Sequence, residues 1–125
     1  MASELDASFE LIGRVFEKLI KAGLRKIPLH AHDFEQEVDR ILFRDVMSFL
    51  KDEGLIRVGA ELVSGDYVFV QLTGAGIAAV ESQKFENCKT VRSEVERGNL
   101  SSEAYGRIGA FVGGLIGGAT TALGG

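Results

Sequence analysis

At 125 residues, with 46% hydrophobic and 26% charged residues, the chain fits one globular domain that can bury a core without disulfides. A single cysteine, Cys88, excludes an intramolecular disulfide and fits a reducing compartment, so a cytoplasmic protein is expected. The net charge of −4 argues against indiscriminate nucleic-acid binding, which needs a basic surface, but it leaves room for a local basic stripe.

The start, Met1-Ala2-Ser3-Glu4-Leu5-Asp6, is acidic and lacks the apolar run of a secretory signal. A first helix is predicted over residues 5–22, with Leu5, Phe9, Ile12, Phe16, Leu19 and Ile20 at helical spacing and Gly23 as its stop. Lys26-Ile27-Pro28-Leu29-His30 reads as a short extended edge segment, because proline cannot donate to a ladder. Asp33 is expected to cap a short helix through Val38.

A further helix is predicted over residues 39–53. Its core face holds Leu42, Val46, Phe49 and Leu50, within about 100° of one another on a wheel. Gly54 ends it. Residues 55–63 and 67–72 then read as antiparallel strands joined by Ser64-Gly65-Asp66. Thr73 starts the next helix, with Ile77, Ala78 and Val80 as its apolar members. Residues 85–97 read as a polar helix with the thin stripe Phe85, Cys88, Val91 and Val95, broken by Gly98-Asn99. Ser101 or Ser102 caps a last helix. Every Lys, Arg, Asp and Glu lies at or before Arg107, and residues 108–125 carry none.

Two phrases carry a resemblance. Phe49-Leu50-Lys51-Asp52-Glu53-Gly54-Leu55-Ile56 is a helix end that enters a strand through glycine. Val68-Phe69-Val70-Gln71-Leu72-Thr73-Gly74-Ala75-Gly76-Ile77 is a strand that returns to a closing helix. In these phrases, and in the order of helix, strand, helix, helix, hairpin and helix, residues 5–85 resemble the winged-helix superfamily. An "LT-x-x-G" after the second strand of the wing is frequent in its bacterial and phage members. The fold class expected is mainly α with a small antiparallel hairpin (α+β), a winged helix-turn-helix followed by C-terminal helices. Residues 1–84 would form the winged-helix domain, 85–100 a polar helix and linker, and 101–125 a glycine-rich apolar helix.

Opposite the predicted core face of the 39–53 helix lie Arg40, Arg44, Met47 and Lys51, with Ser48 among them, at spacings that make one stripe. The resemblance implies that this face would enter the DNA major groove, arginine reading guanine and lysine holding phosphate, with Ser64, Gly65 and Asp66 as the wing. Asp39, Asp45, Asp52 and Glu53 cancel part of that field, and the wing tip has no cation. Double-stranded DNA and a protein partner therefore both stand as readings.

Gly109, Gly113 and Gly117 repeat every four residues, as do Gly106, Ala110, Gly114, Gly118 and Ala122. On a helix they form a strip without side chains that admits close approach of another helix, with Phe111, Val112, Leu115, Ile116 and Leu123 as the apolar remainder. The uncharged run falls at the short limit for a span of about 20 residues, and each glycine costs about 1 kcal/mol of helix propensity relative to alanine. Self-association, packing on its own domain, membrane association through residues 108–125 and a disordered tail are the open alternatives.

His30-x-His32 with Asp33 could ligate a metal, but no second ligand pair is evident and incidental turn histidines are the preferred reading. Gly74-x-Gly76 lacks the third glycine and the lysine of a phosphate loop. No catalytic residue, metal or cofactor is expected. The function expected is a small DNA-binding regulator that oligomerises through its C-terminal helix. The alternative is a protein-interaction or sensing module whose tail self-associates or enters a membrane.

Overall fold

A computed structural model describes residues 4–34, 39–87 and 89–124, with surroundings given for side chains up to residue 114. The chain is mainly helical with a small antiparallel sheet, as the sequence predicts. Helices are α1 (Glu4–Ala22), α2 (Arg40–Asp52), α3 (Gly74–Val80), α4 (Val91–Arg97) and α5 (Ser102–Gly124). Strands are β1 (Ile27–Leu29), β2 (Ile56–Arg57), β3 (Ala60–Glu61) and β4 (Tyr67–Leu72), and a 3-10 turn covers Ala31–Asp33. Two compact units emerge, one of Val15–Ile77 and one of Met1–Arg14 with Ala78–Gly125.

In the unit Val15–Ile77, β4 is the central strand. It pairs antiparallel with β1 on one side and with β2 and β3 on the other. Pro28 lies on β1, an edge strand, as its missing N–H requires. The expected strand 55–63 is split into β2 and β3. At the break, Phe69 opposite takes a left-handed φ of 56°, and the Gly59 N–H reaches both the Val68 and Phe69 carbonyls at 3.0 and 3.1 Å. A Cβ on Gly59 would lie 2.6 Å from Phe69 Cβ, so the kink needs glycine there.

The core of this unit gathers Val15, Phe16 and Leu19 of α1, Leu29 of β1, Phe43, Val46, Met47 and Leu50 of α2, and Tyr67, Val70 and Leu72 of β4. Phe43 meets Tyr67 edge-on at 5.6 Å and Phe34 at 5.9 Å. Asp39 caps α2 by accepting from the Ile41 N–H at 2.7 Å. At the other end Gly54 (φ 75°) donates to Lys51 O and Leu55 donates to Leu50 O, a complete Schellman motif. Thr73 caps α3, its Oγ1 accepting from the Gly76 N–H at 3.0 Å.

Two expectations for local structure need correction, and a third lies outside the described residues. Asp33 closes the 3-10 turn by accepting from the His30 N–H at 2.8 Å, and residues 35–38 of the helix it is expected to cap lie outside the described residues. The polar helix begins at Val91 rather than residue 85, because Thr90 and Ser93 form a reciprocal capping box there and Asn87 holds a positive φ of 45°. Phe85, Val91 and Val95 are buried as expected, while Cys88 lies outside the described residues. In α3, Ala79 and Val80 are buried, and Ile77 and Ala78 are exposed.

In the other unit, α5 starts on Ser101, whose Oγ accepts from the Ala104 N–H at 3.1 Å. It lies against the N-terminal part of α1. A Cβ added to Gly109 would fall 1.8 Å from Phe9 O, and one on Gly13 would fall 2.1 Å from Tyr105 O. Both helices give up a side chain where their backbones meet. Arg14 reinforces the crossing: its guanidinium lies 4.3 Å from the Tyr105 ring centre and pairs with Glu10 at 3.0 Å. Phe85 meets Phe111 edge-on at 5.3 Å, and Arg107 pairs with Glu86 at 2.9 Å.

The two small-residue stripes of α5 should therefore respond differently to a methyl group. Gly109→Ala should lower the unfolding free energy by about 1–3 kcal/mol through overpacking. Gly106→Ala, with nothing within 4 Å of the new Cβ, should be neutral or add up to about 1 kcal/mol of helix propensity. Urea titration followed by circular dichroism checks both.

Candidate functional site: the outer surface of α2 and the hairpin turn

The buried face of α2 is Phe43, Val46, Met47 and Leu50, at the i, i+3, i+4, i+7 spacing of an amphipathic helix. This corrects the expected wheel. Met47 is 0% exposed and belongs to the core, so it cannot contact DNA, whereas Phe49 is exposed. The buried alternative wins because it puts Phe43 between the Phe34 and Tyr67 rings. That heptad spacing was itself readable in the sequence, and it was masked by an overlapping apolar set with Leu42 and Phe49.

Recentring the wheel moves the cations. Arg40, Lys51 and Arg44 fall about 70–110° from the middle of the buried face, on one flank. Ile41, Asp45, Ser48 and Asp52 lie within about 30° of the outermost line. All seven are exposed. The line that would enter a groove first thus holds two carboxylates, an isoleucine and a serine.

The cations of the flank have different surroundings. Arg40 Nη2 donates to the Ser64 carbonyl at 3.2 Å and joins the start of α2 to the hairpin turn. Arg44 Nε lies 3.9 Å from Asp45 Oδ1. Lys51 is exposed and forms no ion pair with a described residue. The structure therefore brings Arg40, Arg44 and Lys51 to one flank, with Ser48 on the adjoining outer line and only Arg40 reaching the turn, and it takes Met47 out of the set.

The turn holds the three expected wing residues, Ser64, Gly65 and Asp66. It is closed by the Leu62 N–H donating to Asp66 O and the Gly65 N–H donating to Leu62 O, both 2.8 Å, with Gly65 at φ 93°. Ser64 Oγ donates to Asp66 Oδ2 at 2.9 Å. Leu62 and Val63 are exposed at this tip, and Val63 is fully so. His30 Nδ1 lies 3.0 Å from Asp66 Oδ1. The close His30 contact and the Ser64 hydrogen bond hold the Asp66 carboxyl below its usual range. The Tyr67 hydroxyl is pushed up to about 12 by burial. Sequence reasoning missed Ile41, Leu62, Val63 and the His30 contact, since exposure and cross-chain proximity leave no periodic signal.

His30 and His32 stack in parallel at 5.0 Å. Among the described residues no group of three or more His, Cys, Asp or Glu is placed to hold a metal ion. Among them, too, no helix is long and apolar enough to cross a membrane. Gly109 of the expected self-association stripe is covered by α1 of its own chain, and Gly113 lies 3.5 Å from the Phe9 ring. Gly106, Ala110 and Gly114 are not covered in this way: Gly106 and Gly114 have open space at their Cβ positions and Ala110 is exposed. The surroundings of Gly117 and Gly118 lie outside the described residues.

Met47→Ala should cost about 2–5 kcal/mol of stability, the range for a large side chain removed from a core. Lys51→Ala should change it by no more than about 0.5 kcal/mol. Chemical denaturation separates the two, and near-equal effects would put Met47 back on the surface. No family model, no curated protein and no solved structure matches the chain.

Proposed function

We propose that the unit Val15–Ile77 is a protein-binding module of winged-helix type, with the outer line of α2 and the hairpin turn as its contact elements. The observation that carries this reading is the chemistry of that surface. Ile41, 60% exposed, sits beside Arg40, and Arg40 is hydrogen-bonded to Ser64 next to the fully exposed Val63. Apolar groups held in water by two rigid elements favour a protein surface over a phosphate backbone. Asp45 and Asp52 on the same line, and Asp66 at the tip, oppose a polyanion. Photo-crosslinkers at positions 41 and 63 should trap a partner that Ile41→Asp/Val63→Asp loses. The double variant should keep its unfolding midpoint, since both side chains already face water. A variant that binds as well as the parent chain refutes this surface.

DNA binding is the second reading, and the flank of Arg40, Arg44 and Lys51 favours it. If it holds, fluorescence anisotropy with a mixed-sequence duplex should show binding that falls steeply from 50 mM to 200 mM salt. Arg44→Ala/Lys51→Ala should then weaken it about tenfold or more. The protein-binding reading expects no such salt-dependent association.

For the tail, the inference is that the uncovered stripe Gly106, Ala110, Gly114 mediates self-association. The small residues support this because they admit a second helix at short range. Light scattering should find a dimer or larger assembly that becomes monomeric in Ala110→Glu. A monomer in both chains dismisses it.

A further inference from the structure

The hairpin turn is anchored to the segment that precedes α2 by one titratable contact. His30 follows β1, and its Nδ1 is buried, lies 3.0 Å from Asp66 Oδ1 and lacks hydrogen-bond geometry to any described group. The charged and titratable groups around the pair come from three places. From the turn, Asp66 faces His30, with Ser64 Oγ on the other carboxylate oxygen at 2.9 Å. From the 3-10 turn, His32 stacks on the His30 ring at 5.0 Å, and Asp33 accepts the His30 N–H and lies 3.8 Å from His32 Nε2. From α2, Arg40 reaches the Ser64 carbonyl rather than either carboxylate.

A buried imidazole nitrogen beside a carboxylate is satisfied when that nitrogen bears a proton, in the neutral Nδ1–H tautomer or in the imidazolium. Only the imidazolium turns the same geometry into an ion pair, which is the stronger contact.

We propose that His30 and Asp66 form a proton-dependent latch that holds the hairpin turn against the 3-10 turn, tighter as an ion pair than as a contact with a neutral ring. The latch has an acid limit of opposite sign. Asp66 titrates below the usual carboxylate range, so its contribution is present above that range and lost as the pH falls through its lowered value. The turn is therefore held best at mildly acid pH. The latch acts on the turn that carries Leu62 and Val63, but it stands or falls independently of what those residues bind.

Hydrogen–deuterium exchange of the full chain, read by NMR at the Leu62 and Gly65 amides and corrected for intrinsic exchange, tests this. From about pH 8 to about pH 5, the span over which an imidazole gains its charge, protection of both amides should rise about fivefold, the order expected for a partly exposed pair. His30→Gln and Asp66→Asn should flatten that rise, and His32→Gln should keep most of it. Should His30→Gln disturb the hairpin itself, Asp66→Asn removes the carboxylate charge from a half-exposed loop and gives the same readout. A parental pH profile in either His30→Gln or Asp66→Asn overturns the proposal, as does a rise lost in His32→Gln alone.

Discussion

The peptide group of Leu55 fastens the unit Val15–Ile77. Its N–H donates to Leu50 O at 3.0 Å and completes the end of α2. Its carbonyl accepts from the Thr73 N–H at 3.1 Å and places the start of α3 beside that end. Thr73 Oγ1 in turn donates to Gly54 O at 2.5 Å and accepts from the Gly76 N–H. Gly76 is obligatory here, because a Cβ would lie 2.2 Å from Leu55 O. One residue thus closes a helix, opens a strand and receives the next helix. The Leu55 side chain, fully buried with Leu50, supplies the apolar contact that accompanies such a terminus.

Everything offered to solvent by α2 depends on how that corner rotates the helix. Once Phe43 and Met47 face the sheet, the three cations cannot also occupy the outermost line. They flank it, and one of them is drawn into the hairpin turn. Carboxylates and Ile41 take the leading position. A surface that reads as basic along the sequence is mixed in space, and its apolar members sit where the two exposed elements are tied together. This arrangement is the reason a protein partner is the better reading of the module than a duplex.

The glycines of α5 do two jobs. Gly109, with Gly13 opposite, is spent on a backbone-to-backbone crossing with the N-terminal part of α1. Such a crossing gains packing only if both helices omit their side chains at the contact, so α5 is tied to this chain by Gly13 as much as by its own pattern. The neighbouring stripe, offset by about 100° for each residue step, is left over by the same geometry. The loss of charge beyond Arg107 is then consistent with packing on protein over part of the helix.

Much was decided by the sequence alone. The mainly helical class with a small sheet, the bounds of α1 and α2, the glycine end at Gly54, the turn at Ser64-Gly65-Asp66, the cap at Thr73 and the start of α5 follow from periodicity, capping chemistry and glycine placement. Those are local rules, enforced within a few residues. Tertiary structure decided which of two overlapping apolar faces of α2 is buried, because the choice turns on Phe34 and Tyr67, nine residues before Phe43 and twenty-four after it. It also placed His30 against Asp66, split the first hairpin strand opposite Phe69, and set Gly109 of α5 against the backbone of α1. Each of these depends on which distant groups arrive at the same point, and spacing along a chain does not encode that.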